Sequence, residues 1–552
     1  MKFKFWFIRI GCVLVFGVLI ANLYIIQVSK GQYYTKQAQA QDAASGELEA
    51  QRGVIYMTDK NGNNIPAVLN KDYSIIYAVP KEIEKPMESA LAIAPLVNVS
   101  SETLEKSFNK QNDLYELIKE KASDQEVEQV RALNIKGIYV KSESFRFYPF
   151  GTMASHVFGF VSSGQDDKVA GRYGLELQFD KQLRGVNGMV SGDSVHGPQK
   201  GEDIYTTLDR NVQAEAENII KNLMKEWNAD SASAIVQDPY TGKILAMANL
   251  PDFDPNNYAQ SDISSFLNSS IQSVYEPGSV FKVITMAAGI DAGKITPNTT
   301  YYDSGYLKLN GMTVWNWDHK AHGTLTMTNV IEQSLNTGAA FAQRTMGNDI
   351  FTSYVKKFGF GSLTGIELPG EVKGSIRNIE NSKEAINYAT ASYGQGISVT
   401  PIRLISAESA IANGGLLLKP LILQNEETQV VQRVMSQETS QKVVNMMVSA
   451  VDKNILAAIP QYNIAGKTGT AFIPKLGGGG YNTDKFINTF IGFAPASHPR
   501  FIILIKLVNP SHAPLAGQTV VPAFKNFAQY LVNYYEIGPD RVVSSTASSS
   551  TR

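Results

Sequence analysis

Ser279 and Lys282 stand three residues apart, directly after the turn-forming pair Pro277-Gly278 and within an otherwise apolar stretch. At positions i and i+3 of a helix, a lysine amine can reach a serine hydroxyl. A serine is a weak nucleophile unless a base removes its proton. A lysine can be that base only when burial or a neighbouring positive charge lowers its pKa. The pattern therefore predicts a helix that begins near Ser279 and a serine activated by a neutral lysine.

The same spacing also occurs elsewhere in the chain, which shows that it means little by itself. Ser107-Phe-Asn-Lys110 lies in a charged tract, from about Ser101 to Leu133, that we predict to be helical. No turn precedes this second pair and no apolar segment follows it. We therefore expect Ser107 and Lys110 to lie on a solvated helix face.

Two further clusters carry groups that an activated serine needs. Ser334-Leu-Asn336 offers a hydroxyl that can relay a proton and an amide that can hold both a substrate carbonyl and Lys282. Lys467-Thr468-Gly469-Thr470 is typical of an edge strand, and its amine and two hydroxyls form a cradle for a carboxylate. Gly469 lets a substrate backbone lie alongside that strand. Alone, each cluster would be only a cap, a turn or a strand end.

Ser-x-x-Lys, a Ser-x-Asn-type element and Lys-Thr-Gly, in this order, form the signature of penicillin-binding proteins and class A β-lactamases. With this signature, the chain resembles the class B penicillin-binding proteins, membrane-anchored peptidoglycan D,D-transpeptidases, over nearly its whole length. Further motifs that carry the resemblance are Arg52-Gly-Val-Ile, Asp59-Lys-Asn-Gly62, Arg146-Phe-Tyr-Pro, Gly174-Leu-Glu-Leu, Thr207-Leu-Asp209, Tyr393-Gly-Gln-Gly396 and the runs 238–248, 251–256 and 465–471.

The resemblance implies a role for each matched position. Ser279 attacks the D-Ala-D-Ala carbonyl of a stem peptide, Lys282 is the base, and Ser334 and Asn336 complete the relay and grip the substrate. Lys467, Thr468 and Thr470 bind the terminal carboxylate, which the carboxylate of a β-lactam mimics. The amide groups of Ser279 and Thr470 form the oxyanion hole. An amine from a neighbouring stem peptide then takes the acyl group, and β-lactams acylate Ser279.

The N-terminus predicts a membrane anchor. Three basic residues precede an uncharged apolar run at residues 10–28, which is long enough to cross a bilayer. Positive charge before the span places residues 1–9 in the cytoplasm and the remaining chain outside the cytoplasmic membrane. A cleaved signal peptide is the rival, but the run is longer than a usual signal core. The only cysteine, Cys12, lies within the span, so the exported part has no intramolecular disulfide.

The rest of the chain divides at about residue 200. Residues 29–200 mix short strands with charged helices and predict an elongated α+β pedestal, similar to a dimerisation domain. Residues 201–538 have strands at both ends and a helical middle, which predicts an α/β transpeptidase domain with an antiparallel sheet and an all-helical lobe. Within it, Ala232–Asp238 and Lys243–Ala248, joined by the turn Pro239–Gly242, are expected to form a hairpin. Residues 539–552 are expected to form a polar, disordered tail.

Composition and the positions of the histidines exclude several classes of function. A net charge of −1 gives no reason to expect nucleic acid as a partner. None of the 6 histidines lies in a recognisable catalytic triad motif. His319-Lys-Ala-His322 has metal-pair spacing, but no third ligand is suggested, so we expect no metal and no cofactor.

Alternatives to the transpeptidase remain. A D,D-carboxypeptidase, which passes the acyl group to water, would use the same catalytic residues. A non-catalytic scaffold in a wall-synthesis complex is the alternative from another class. The resemblance also implies a partner, a membrane glycosyltransferase of the shape-and-division type. Septal, lateral and spore wall synthesis remain equally open.

Overall fold

The structure, a computed structural model, describes residues 50–110, 113–163, 169–191, 194–475, 480–513 and 515–541. These residues fall into two compact units. The first holds 50–54, Leu69–Phe147 and Lys181–Asp203, and the second holds Ile55–Val68, Tyr148–Asp180 and the chain from Ile204 onward. The expected anchor at 10–28, with Cys12, lies outside the described residues, as does the tail from Ser544. No helix in the described part is long and apolar enough to span a membrane.

The first unit is built on a three-stranded antiparallel arrangement backed by helices. Ile65–Ala78 is its central strand and pairs with Glu116–Ala122 on one side and Ile138–Phe147 on the other. Its helices are Pro86–Val97, Ser101–Phe108 and Asp124–Ala132, and their apolar residues bury Ile76 and Ile118 of the sheet. Short elements complete the unit: the 3₁₀ helix Pro80–Glu82 and the strand pair Met189–Ser191 and Ser194–His196.

The prediction of a continuous helical tract from Ser101 to Leu133 is wrong in its middle. Glu116–Ala122 is a strand in which Ile118 and Ala122 are buried in the core, while Glu120 and Lys121 are exposed. The predicted capping box is confirmed: Ser123 Oγ accepts from the Glu126 amide, and the Glu126 carboxylate accepts from the Ser123 amide at 2.8 Å. Ser107 lies in a surface helix as expected, and exposed Lys110 pairs with Glu116.

The second unit is organised by a five-stranded antiparallel sheet. In spatial order its strands are Ile244–Leu250, Ser231–Gln237, Phe501–Val508, Tyr481–Ala494 and Ala465–Pro474. The first two form the predicted hairpin. Segments more than two hundred residues apart in sequence complete the sheet, which confirms the prediction of one sheet joined from distant parts of the chain.

Helices cover both faces of this sheet. Arg210–Glu226 and Val520–Tyr534 pack on one face, where Val236 and Ile503 contribute to an extensive apolar core. Ile235 and Leu504 alternate with those residues and are buried on the opposite face. The fully buried helix Pro401–Ala412 contacts the same two strands. The core therefore lies on both sides of the sheet, and the edge strand Ala465–Pro474 is left with one free edge.

The second unit contains further helices and strands. Its other α-helices are Ser155–Phe158, Gly174–Gln178, Ser269–Gln272, Lys282–Asp291, Met327–Gln333, Asn336–Met346, Asn348–Lys357, Arg377–Glu380, Ala385–Ala391 and Gln437–Lys453. Its 3₁₀ helices are Pro255–Gln260, Ile263–Phe266 and Gly278–Phe281, and Asp180–Arg184 is a further short α-helix of the chain. Its other strands are Ile55–Thr58 with Ile204–Asp209, Val161–Ser163 with Val169–Gly171, Thr300–Asp303 with Gly323–Thr326, Tyr306–Leu309 with Met312–Trp315, and Leu416–Leu418 with Val430–Arg433.

The lobe that was predicted to be all-helical also contains strands, so that prediction is corrected. Tyr306–Leu309 and Met312–Trp315 form a hairpin around Asn310-Gly311, and both turn residues have positive φ, 48° and 75°. An Asn-Gly turn of this kind matches the twist of two antiparallel strands. Leu307, Leu309 and Val314 alternate toward the core and hold the hairpin in place.

Candidate active site

A tight turn presents Ser279. Gly278 has a φ of +60°, a conformation that favours glycine, and it opens a single 3₁₀ turn, Gly278–Phe281. The α-helix Lys282–Asp291 follows at once. Lys282 Nζ donates to Ser279 Oγ at 2.9 Å. The predicted contact is thus formed, although Ser279 lies in the 3₁₀ turn and the α-helix begins at Lys282.

Lys282 is completely buried, with no exposed surface. Its helix is apolar on all sides: Phe281, Val283, Ile284 and Met286 are buried as well. Burial, together with the charge of Lys467, holds the pKa of Lys282 well below its usual value. Removing a charged amine from water favours its neutral form, which is the form that can accept a proton. The surroundings therefore favour the neutral form that the predicted role of Lys282 as a base requires.

Ser334 joins the two lysines. Its carbonyl accepts from Lys282 Nζ at 2.6 Å, and its Oγ lies 3.3 Å from Lys282 Nζ and 2.9 Å from Lys467 Nζ. Ser334 ends the helix Met327–Gln333 in the left-handed conformation, with φ of 57°. Non-glycine residues adopt this conformation uncommonly. The result is a hydrogen-bonded chain from Ser279 through Lys282 and Ser334 to Lys467.

Asn336 begins the next helix, Asn336–Met346, at the edge of the same site. Its Nδ2 donates to the carbonyl of Trp315 at 2.8 Å. Among the described residues, Lys282 Nζ bonds to Ser279 and Ser334 but not to this amide. The predicted contact between Asn336 and Lys282 is therefore not formed; the amide is held by the hairpin strand instead.

The cluster Lys467–Thr470 lies on the edge strand Ala465–Pro474, as predicted. Lys467 is only 3% exposed, and its Nζ also contacts Thr468 at 3.2 Å and 3.3 Å. Thr470 Oγ1 accepts from the Ala516 amide at 3.2 Å. A side chain at Gly469 would meet the Pro277 carbonyl at 2.8 Å. The glycine thus lets this strand lie directly against the turn that carries Ser279.

A cavity of about 1080 Å³ contains these groups. Ser279, Ser334, Asn336 and Lys467 line it together with Thr468 and Thr470. Its remaining walls include Trp315, Trp317, His319, Tyr393, Phe472 and Leu515. Residues that are distant in sequence therefore share one concave, largely apolar site with a few convergent polar groups, as substrate sites do.

The structure adds Glu408, which the sequence analysis missed. This side chain is fully buried in the helix Pro401–Ala412, and neither carboxylate oxygen has a hydrogen-bond partner among the described residues. Burial raises its pKa well above the usual value, while the charge of Lys467 acts in the opposite direction. Burial lowers the pKa of Lys467 to about 7, against the effect of Glu408. A lone acid in an otherwise apolar helix is the signal that could have revealed it.

Glu276 is a second residue that the sequence analysis passed over. Its carboxylate accepts from the Gly396 amide at 3.0 Å and from the Tyr481 hydroxyl at 2.9 Å. It lies in the turn before Ser279 and so ties that turn to the loop of Gly396 and to the first residue of the strand Tyr481–Ala494. An acid directly before Pro277 was the available signal.

Comparison with known proteins agrees with this fold and site. Residues 232–529 match the family described as the penicillin binding protein transpeptidase domain, and residues 47–231 match the penicillin-binding protein dimerisation domain. Stage V sporulation protein D of Bacillus subtilis is 32% identical over 548 residues, covering 93% of this chain and 83% of that protein. The probable peptidoglycan D,D-transpeptidase PenA of Neisseria meningitidis is 28% identical over 562 residues, covering 98% and 94%.

A solved structure shows the same fold. Penicillin Binding Protein 2X of Streptococcus thermophilus superposes with a TM-score of 0.73 at 22% identity, covering 89% of this chain and 80% of that one. A mixed α/β transpeptidase fold with a serine hydrogen-bonded to a buried lysine defines a serine acyltransferase of the penicillin-binding type. This chain belongs to the class B penicillin-binding proteins. The resemblance inferred from its motifs is confirmed.

Proposed function

We propose that Ser279 is the acylated nucleophile of a peptidoglycan D,D-transpeptidase that cross-links stem peptides. The observation that carries this assignment is the continuous hydrogen-bonded chain Ser279–Lys282–Ser334–Lys467. It joins a hydroxyl to a buried amine, which is the arrangement that activates a serine without histidine.

In the first half-reaction, Ser279 Oγ attacks the carbonyl carbon of the penultimate D-Ala while its proton passes to Lys282 Nζ. The amide groups of Ser279 and Thr470 stabilise the oxyanion that develops. The C–N bond then breaks, and the proton moves from Lys282, with Ser334 as relay, to the leaving nitrogen of the terminal D-Ala. The product is an ester between Ser279 and the stem peptide.

The other site residues hold the substrate. Lys467, with Thr468 and Thr470, binds the terminal carboxylate, and the same cradle receives the carboxylate of a β-lactam. Asn336 positions the peptide backbone with its remaining hydrogen-bonding capacity. The free edge of the strand that contains Gly469 offers backbone groups for pairing with an extended peptide.

In the second half-reaction, the amine of a neighbouring stem peptide attacks the ester carbonyl. Its proton passes to Lys282, the C–O bond breaks, and Ser279 regains its proton as the new amide forms. Water in place of the amine would give a D,D-carboxypeptidase, the nearest alternative. A non-catalytic scaffold is the other, and it would leave the contact between Ser279 and buried Lys282 without a purpose.

A turnover assay separates these three possibilities. The full chain is incubated with a donor that ends in D-Ala-D-Ala and with an acceptor amine, and released D-Ala and cross-linked product are both measured. A transpeptidase gives D-Ala and cross-link in similar amounts. D-Ala without cross-link indicates a carboxypeptidase, and no D-Ala from the unsubstituted protein contradicts both enzymatic assignments. Ser279→Ala is the control and is expected to abolish release.

The same proposal includes the setting of the enzyme. Residues 10–28 anchor the chain in the bacterial cytoplasmic membrane, with the pedestal at 29–200 and the catalytic domain at 201–538 outside it. A membrane glycosyltransferase of the shape-and-division type is the proposed partner, because it makes the strands that this enzyme would cross-link. Co-purification of the full chain from membranes with such a polymerase, and its loss when residues 10–28 are exchanged for an unrelated span, tests this arrangement.

A further inference from the structure

An exposed aromatic surface continues from the active-site cavity onto the neighbouring hairpin. Tyr306 and Trp315 are cross-strand partners with ring centroids 5.2 Å apart, and His319 lies 5.4 Å from Trp315. Tyr306 is 42% exposed and Trp315 is 45% exposed. We call the surface formed by Tyr306, Trp315 and His319 the aromatic platform. Large exposed rings that adjoin a catalytic cavity mark a ligand surface.

The platform is held rigidly. The opposite face of the hairpin, with Leu307, Leu309 and Val314, packs against the core. The carbonyl of Trp315 accepts from Asn336 Nδ2 at 2.8 Å. The rings are therefore fixed relative to the proposed substrate-binding amide, and ordering them on binding costs little conformational entropy.

The position of the platform indicates what part of the substrate reaches it. In the proposed function, on which this inference rests, the substrate carboxylate lies at Lys467 and the donor backbone passes Asn336. Trp315 is hydrogen-bonded to Asn336, and Trp315 and His319 both line the cavity. The donor peptide therefore continues toward the platform. The acceptor amine must replace the departing D-Ala nitrogen, so it approaches from the Lys467 side.

The donor peptide ends on an amino sugar. Five extended residues span about 17 Å, so the sugar that carries the stem peptide stays within that distance of Ser279. A pyranose ring has an apolar C–H face that suits stacking on an aromatic ring, while its hydroxyl and acetamido groups need hydrogen-bond partners. Lys308 Nζ lies over the Tyr306 ring, 5.9 Å from its centre, and Thr313 is the cross-strand partner of Lys308. Both side chains can serve the polar rim of a sugar.

We propose that the aromatic platform binds the N-acetylated sugar that carries the donor stem peptide. The test compares two donors of the same peptide sequence, one linked to its disaccharide and one free. For the full chain in detergent, kcat/KM of D-Ala release is measured with each donor. Tyr306→Ala is expected to lower the value for the disaccharide-linked donor about tenfold, with no change for the free peptide or for penicillin acylation.

Two further variants sharpen the comparison. Tyr306→Phe keeps the ring and should keep the preference for the linked donor. Tyr302→Ala is the matched control, because Tyr302 is 74% exposed on a neighbouring strand but has no place on the platform. If Tyr306→Ala lowered kcat/KM for both donors equally, the surface would bind peptide, and the proposal would be overturned. An unchanged kcat/KM for both donors would overturn it as well.

A binding measurement tests the proposal without any Tyr306 variant, so it does not require that those variants fold. In calorimetry, Ser279→Ala protein should bind the disaccharide-linked donor about tenfold more tightly than the free peptide. Equal affinities would overturn the platform while leaving the proposed function intact. If unsubstituted protein released no D-Ala from either donor, the proposed function would fail first and this inference with it.

Discussion

Lys282 Nζ lies 2.9 Å from Ser279 Oγ and 2.6 Å from the Ser334 carbonyl, at the start of an apolar helix. The amine is thus directed at the nucleophile by a backbone acceptor and is sealed from water by its own helix. This single relationship explains how the chain can activate a serine without histidine. It also makes catalysis depend on the charge states of two buried lysines.

The pH dependence of acylation should reveal both lysines. Lys282 must be neutral to accept a proton, so the rate of penicillin acylation falls in acid as Lys282 gains a proton at its depressed pKa. Lys467 must be charged to bind a carboxylate, and its pKa is about 7, so the rate also falls as pH rises above that value. We expect a bell-shaped profile of the second-order rate constant in the free enzyme. A flat profile from pH 5 to 9 would contradict this assignment.

Glu408→Gln should stabilise the protein in a pH-dependent way. The folded-state pKa of Glu408 is raised by burial, so its protonated form is favoured in the fold. The stability that it contributes is complete below the unfolded pKa and is lost as pH rises toward the folded value. Glutamine has no such loss, so the difference in Tm between Glu408→Gln and the unsubstituted protein should grow between pH 4 and pH 8. A difference that does not change with pH would argue against a buried, protonated carboxyl.

Thr337→Val tests how much the hydrogen bond of Thr337, the residue that follows Asn336, contributes to stability. Thr337 Oγ1 donates to Asp303 Oδ1 at 2.7 Å, and Asp303 is completely buried. Loss of a hydrogen bond to a buried carboxylate should lower the free energy of unfolding by about 1.5–3 kcal/mol. Denaturant unfolding measures this change. Thr345→Val is the control on the same helix, since Thr345 is exposed and bonds only to the Phe341 carbonyl, and it should change stability far less.

Gly469→Ala should impair acylation more than it impairs folding. The added methyl group would lie 2.8 Å from the Pro277 carbonyl, closer than such contacts allow, so strand and turn must move apart. That movement separates Thr470 from Ser279, and a shift of about 1 Å can cost roughly 100-fold in rate. Penicillin acylation kinetics provide the measurement. Gly538→Ala, where an added methyl group meets nothing, is the control, and equal acylation rates for the two variants would refute the explanation.

From the sequence alone, the catalytic groups could be predicted better than the fold that surrounds them. The order of Ser279, Ser334 and Lys467 indicated the site because each motif carries its own reactive group. The strand Glu116–Ala122 was mistaken for a helix, since its charges obscure the two buried positions, Ile118 and Ala122. The left-handed conformation of Ser334 could not be predicted, because tertiary hydrogen bonds hold a residue type that has no preference for it.

Burial was the other quantity that the sequence could not supply. Glu408 is placed next to Lys467 by packing between elements distant in the chain, and no local pattern encodes that distance. The hairpin of Tyr306 and Trp315 was predictable in principle, because Asn310-Gly311 between alternating residues is a strong turn signal. It was overlooked because the helices on either side dominate that part of the chain.

Covalent labelling with a fluorescent penicillin tests the central claim most directly. The full chain is labelled, digested, and the modified peptide is mapped by mass spectrometry. The proposed mechanism predicts one stoichiometric ester on Ser279, absent in Ser279→Ala and strongly slowed in Lys282→Met. Label on another residue, or label that persists in folded Ser279→Ala protein, would contradict it.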